Sequence, residues 1–130
     1  MTGAGRKAST GLCALFLLSV MPALAQEECR NAATERDMGA CLARKTQGQG
    51  REMAAAIKTL RERYTEPSEK AFGPAMDKAQ RAWIAWRDAE CAFRNFESRQ
   101  GTGYGNILAT CVSDLNAERL KTLKDMVDSP

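Results

Sequence analysis

Ala79-Gln80-Arg81-Ala82-Trp83-Ile84-Ala85-Trp86-Arg87-Asp88-Ala89-Glu90-Cys91 is the stretch that decides the fold. It contains no glycine or proline and is rich in alanine, so a helix is the expected state. Around it Phe72, Met76, Ala79, Trp83, Trp86 and Phe93 recur at helical spacing and form the predicted buried stripe of a helix spanning 68–97. Trp83 and Trp86, so placed, read as core rather than as a sugar-stacking platform. Arg87 falls one turn after Trp83 and one turn before Cys91, at the edge of that stripe. There its guanidinium can stack on an indole and pair with a carboxylate, so Arg87 and Asp88 read as structural. Gly73-Pro74 lies near the start of the segment. A proline inside a helix costs about 3 kcal/mol, which predicts a kink or a fresh helix start there.

Working outward, three more helical segments appear. Thr34-Glu35-Arg36-Asp37 resembles a capping box with Asp in the place of Glu, and opens a first helix over 35–46. Gly48 and Gly50, within Thr46 to Gly50, predict a break. Met53, Ile57, Leu60 and Tyr64 then fall on one face of a second helix, which Thr65-Glu66-Pro67 ends. Pro67 suits the first turn of the helix that follows. The conspicuous loop is Ser98 to Gly105, where Gly101, Gly103 and Gly105 disfavour regular structure. Asn106 is placed as the cap of a last helix whose buried face is Leu108, Val112, Leu115, Leu120, Leu123 and Val127. Asp128-Ser129-Pro130 should fray. Nothing reads as a strand. The expected fold is all-α, a small disulfide-stapled bundle of three to four helices.

The ends and the cysteines set the compartment. Arg6 and Lys7 precede an apolar run from Leu12 to Met21, and Ala23-Leu24-Ala25 is an A-x-A cleavage site. That pattern reads as a secretory signal over 1–25, cut before Gln26, with one domain over 26–130. The run falls short of the roughly 20 apolar residues a spanning helix needs. Cys13 lies inside the signal and Cys29 follows Gln26-Glu27-Glu28, so neither sits where a lipid anchor requires a cysteine. Of the 19 basic residues, losing Arg6 and Lys7 leaves 17 against 16 acidic ones. A nearly neutral domain offers no electrostatic reason to bind nucleic acid or an anionic membrane. Cys29, Cys41, Cys91 and Cys111 remain, an even number, which in an exported domain reads as two disulfides. Four cysteines allow three pairings; Cys29–Cys41 and Cys91–Cys111 are favoured because each closes a short loop between neighbouring elements. A zinc site is disfavoured, since the chain has no histidine and no C-x2-C pair.

The residues that remain carry little chemistry. Without histidine the usual neutral-pH general base is missing. Paired cysteines leave no thiolate nucleophile. Ser68, Ser98, Ser113 and Ser129 lie in no nucleophile-elbow motif. Asp88 and Glu90 sit two positions apart, so on a helix they point to different faces. The expectation is a protein that is not an enzyme and uses no metal or cofactor.

These segments together resemble the LprI-like lysozyme-inhibitor family of small exported bacterial proteins. The family's T-Q-x-E-M-N-x-C segment appears here as Thr34-Glu35-Arg36-Asp37-Met38-Gly39-Ala40-Cys41. Its A-Q-r-A-W-i-x-y-R-D-a-e-C segment is matched almost throughout by Ala79 to Cys91. The Gly101 to Gly105 loop, Cys111, and Asn116-Ala117-Glu118-Arg119 with Leu123 correspond to the family's later motifs. Glu35, Gly39 and Asn116 stand where the family carries Gln, Asn and Thr. The resemblance implies a periplasmic or secreted protein that binds a lysozyme and occludes its cleft without turnover. The alternative is an envelope interaction module, such as a toxin-immunity protein or an assembly subunit, that binds another protein. For either, the glycine loop is the expected contact. Arg99 offers a bidentate guanidinium and Tyr104 an aromatic anchor, while Gly101 and Gly103 permit close approach.

The exported protein should begin at Gln26 and contain no free thiol. Intact-mass measurement before and after alkylation checks both points; alkylated cysteines in the unreduced protein would refute the second.

Overall fold

The computed structural model describes residues 29–129. The secretory signal over 1–25, the cut before Gln26 and Cys13 lie outside the described residues. Three long helices follow one another: α1 spans Glu35–Arg63, α2 Phe72–Arg94 and α3 Tyr104–Asp128. Short 3-10 turns at Pro67–Glu69 and Phe96–Ser98 lead into and out of the α2 limb. Among the described residues there is no strand, so the all-α expectation holds, and the three long helices fall within the three to four expected.

The predicted break at Thr46 to Gly50 does not occur. α1 is one helix of 29 residues, about 43 Å long. Its buried residues, Leu42, Gln49, Met53, Ala56, Ile57 and Leu60, keep a single helical phase straight through the glycines. The Gln49 amide donates to the Ser113 carbonyl at 2.9 Å, which ties this part of α1 to α3. Packing therefore overrides two unfavourable glycines, each costing about 1 kcal/mol relative to alanine. Thr34 caps α1 as read: its hydroxyl oxygen accepts from the Asp37 amide at 3.1 Å and donates to the Asp37 carboxylate at 2.7 Å.

The predicted helix over 68–97 is shorter, and Pro74 explains its start. The chain restarts at Phe72, so Pro74 lies in the first turn, where its missing N–H has no helical partner to lose. Pro67 opens the preceding 3-10 turn. Tyr64 stacks on Phe72 across this corner, with ring centroids 3.9 Å apart.

α1 and α3 run parallel, and α2 runs back between their opposite ends. The start of α1 meets the start of α3, where the Asn106 amide donates to the Glu35 carbonyl at 2.9 Å. Their far ends meet where the Arg63 guanidinium donates to the carbonyls of Met126 (3.1 Å), Ser129 (2.8 Å) and Val127. The Ser129 hydroxyl also donates to the Asp125 carbonyl at 2.8 Å. These bonds hold the end of α3 that the sequence suggested would fray.

The apolar core lies toward that end. Met53, Ala56, Ile57 and Leu60 of α1 close on Leu120 and Leu123 of α3 and on Met76 of α2. Phe72, Trp83 and Val127 pack against this cluster. Leu60 and Leu123 are the most enclosed, at 1% and 0% exposure. The opposite end is held covalently. Cys29–Cys41 pins the incoming chain to α1, and Cys91–Cys111 joins α2 to α3, with Cα separations of 5.5 and 5.7 Å. This is the favoured pairing.

Gly50→Ala should stabilise the protein by about 0.5–1 kcal/mol, because an added Cβ meets nothing within 4 Å and removes backbone freedom from the unfolded chain. A thermal melt checks this; destabilisation would mean that α1 does bend at this point.

Candidate functional site

Two groups of residues carry the sequence motifs, and they lie in different places. The first is the glycine loop at the disulfide-bonded end. It begins at the C-terminus of α2, passes through the Phe96–Ser98 turn and ends at the first turn of α3. Arg99 is exposed, yet its guanidinium already has local company: Nη1 donates to the Phe96 carbonyl at 2.9 Å, and the group lies 3.7 Å from the centre of the Phe96 ring. Gly101 sits where the chain turns on itself. A Cβ there would lie 3.2 Å from the Ser98 carbonyl, which accepts the Gly101 amide at 2.9 Å.

Tyr104 is the first residue of α3 and half-buried, so the loop is shorter than Ser98 to Gly105. Gly103, not Asn106, is the cap of α3. Asn106 instead lies in the first turn and reaches α1, where its amide also donates to the Glu35 carboxylate at 2.5 Å. The sequence showed a cap-forming residue at a helix start, but the structure uses it for a tertiary contact. Gly39 makes room for that contact: a Cβ there would lie 3.0 Å from the Asn106 Oδ1. Between the loop and α1 is a shallow cavity of about 360 Å³ lined by Glu35, Met38, Asn95 and Ile107, among others. Arg99 and Tyr104 do not line it; Gly103 does.

The second group is the α2 motif. Trp83 is partly buried between two guanidiniums, with Arg87 5.5 Å and Arg119 5.7 Å from its ring centre. Arg87 donates to Asp88 through Nε at 2.8 Å and Nη2 at 2.6 Å, and through Nη1 to the Asn116 Oδ1 at 2.8 Å. Arg119 donates to the Gln80 Oε1 at 3.1 Å, and burial draws its pKa below the ordinary arginine value. The two most motif-like segments, 79–91 and 116–123, thus meet in one polar–aromatic cluster that joins α2 to α3. Arg87 bridges α2 to α3 through Asn116, whereas Asp88 is exposed and pairs with Arg87 on its own helix. Gln80 and Arg119 were missed as members. Gln80 sits one turn before Trp83, and that spacing was the available signal.

Trp86 departs from expectation. It is 48% exposed and Phe93 77%, while Ala79 is exposed as well. The inward stripe is Phe72, Met76, Gln80, Trp83, Arg87 and Cys91, rotated from the all-apolar stripe because polar side chains pair across the α2–α3 boundary. Beside this cluster an open groove of about 470 Å³ runs between α1 and α2, walled by Met53, Ile57, Gln80, Ile84 and Arg87. It offers apolar surface and hydrogen-bond donors. The carboxylates Asp88 and Glu90 pair with Arg87 and Arg94. Among the described residues there is no group of three or more His, Cys, Asp or Glu side chains that could hold a metal ion. No helix of the described residues is long and apolar enough to cross a membrane.

These features define a small helical scaffold, stapled by two disulfides, whose motif residues hold its helices together. The LprI lysozyme inhibitor family model matches residues 27–123, and the chain belongs to that family. It is 28% identical to an uncharacterized protein of Rhizobium meliloti (strain 1021), over 95% of this chain and 97% of that one. No solved structure matches it.

Arg87→Ala leaves the Asn116 amide oxygen, in a residue only 2% exposed, without its donor, and should cost about 1–3 kcal/mol. Trp83→Ala should cost about 3 kcal/mol through lost packing, whereas Arg99→Ala should stay within about 0.5 kcal/mol. Chemical denaturation measures all three. An Arg87 variant as stable as the parent would remove the structural role assigned to the motif.

Proposed function

We propose that this protein is an exported inhibitor of lysozyme-type muramidases that occludes the enzyme's cleft and catalyses nothing. The family match carries the reading. Two disulfides fit an oxidising compartment, periplasmic or extracellular, into which the 1–25 segment would direct the chain. The contact we assign to the loop end of the bundle. Lysozyme holds catalytic carboxylates in an open cleft. Arg99, exposed beside the 53%-exposed Phe96, supplies a guanidinium for such a carboxylate next to an aromatic anchor. Tyr104 adds a second anchor, and Gly101 and Gly103 keep the loop wall thin.

The Cys91–Cys111 bridge joins the two limbs from which this loop springs. Holding the limbs together reduces the ordering cost on binding, which is the usual route by which a rigid loop gains affinity. Occlusion needs no proton transfer, so the lack of histidine in the chain is no handicap.

The oxidised protein titrated into a panel of lysozymes should inhibit at least one at micromolar concentration, with binding heat and 1:1 stoichiometry per site. Arg99→Ala combined with Tyr104→Ala should weaken that inhibition by about 30-fold or more. Unchanged muramidase rates and no binding heat across the panel would defeat the proposal. Full inhibition by the double variant would move the contact to another face.

A further inference from the structure

The outer face of α2 is an exposed apolar seam, with the Arg99 guanidinium resting on Phe96 at its end. Ala79, Ala82, Trp86, Ala89 and Phe93 lie along it, and Phe96 continues it in the turn beyond; all six are exposed. Within α2 the spacing of Ala79, Ala82, Trp86, Ala89 and Phe93 alternates three and four residues, the 3.5-residue period of a helix seam that packs against another helix. A surface helix of a lone domain normally turns charged residues outward on this face. Here the exposure of Trp86 (48%), Phe93 (77%) and Phe96 (53%) is concentrated on one line.

We propose that this seam pairs with the same seam of a second copy, with the two α2 helices antiparallel. Side-chain size supplies the first argument. The three aromatics occupy the C-terminal half and the alanines mainly the N-terminal half. An antiparallel pair with its two-fold axis between Trp86 and Ala89 sets each large side chain against a small one. Phe93 meets Ala82 and Trp86 meets Ala89, each layer occurring twice, and Phe96 in the turn beyond lies toward the Ala79 end of the other copy. A parallel pair would stack bulk on bulk at one end and leave alanine facing alanine at the other, which is poor packing.

Charge supplies the second argument. Asp77 is engaged by Arg61, Asp88 by Arg87 and Glu90 by Arg94. Beside the seam Lys78 and Arg81 lie along the alanine half, while the aromatic end carries Glu97 and also Arg99, whose guanidinium rests on Phe96. Antiparallel pairing keeps the two basic stretches at opposite ends of the interface and brings each toward the other copy's Glu97; parallel pairing sets Lys78 and Arg81 of both copies side by side. Covering these side chains on both copies removes roughly 1,000 Å² from water, near the lower bound for a specific interface, so the dimer is a reversible one. The pairing does not require lysozyme binding, but it covers Phe96, which also flanks Arg99 in the proposed lysozyme contact, so the two contacts would compete there.

Sedimentation equilibrium of the oxidised protein, from micromolar to millimolar concentration, tests it. A reversible monomer–dimer equilibrium is expected, with a blue shift of tryptophan emission as Trp86 is covered. Phe93→Glu should weaken association by about 30-fold or more while helicity and melting temperature stay unchanged. Ala82→Phe should weaken it by a similar factor, and Ala82→Phe combined with Phe93→Ala, which exchanges large and small within one layer, should restore it. A monomer at every concentration, or a dimer indifferent to Phe93→Glu, would overturn the proposal. Failure of the exchanged pair to restore association would overturn the antiparallel register.

Discussion

The Cys91–Cys111 bond is the constraint on which the arrangement of the three helices depends. α1 and α3 form the principal pairing, and α2 rests on them through fewer residues. At the N-terminal end of α2, Phe72 and Met76 enter the apolar core, and Asp77 meets Arg61. At mid-length the hold is the Trp83, Arg87, Asn116 and Arg119 cluster. Beyond it no large apolar side chain of α2 is buried, since Phe93 points outward. The bridge replaces the missing core there. Closing a loop of this length contributes about 3 kcal/mol in the chain-entropy model, comparable to burying a large side chain or two.

That division explains how a short chain can afford an apolar face on the outside. A domain of this size has a limited core, and covalent links substitute for buried area at one end. Within the motif, Arg87 reaches across to Asn116 and so joins α2 to α3, while Asp88 pairs with Arg87 on the same helix. What is left on the surface is suited to contact: the Arg99–Phe96 pair at the loop and the aromatic line along α2. Both are compatible with a protein that grips another, and the family to which the chain belongs points the same way.

Much of the fold was legible in the sequence, and the misreadings have definite causes. The all-α class, the cysteine pairing and the restart near Pro74 followed from spacing and local chemistry. Gly48 and Gly50 misled because propensity was read without phase; Leu42, Gln49 and Met53 already lie on one continuous face, with a glutamine at a buried position. Trp86 and Phe93 misled because hydrophobicity alone was used to choose the inward face of α2. The true inward face is rotated toward Gln80 and Arg87, whose partners Arg119 and Asn116 lie some 30–40 residues away and cannot be found from local periodicity. Asn106 likewise showed its capping chemistry in sequence, but not that Glu35 would be the receiver.

Amide hydrogen exchange on the oxidised protein and on a Cys91→Ala, Cys111→Ala variant tests the central claim most directly. The account predicts that removing the bridge lowers protection along α2 from about Trp86 to Arg94 and through the glycine loop, while amides around Leu60 and Leu123 stay protected. Equal loss of protection over all three helices, or none anywhere, would contradict it.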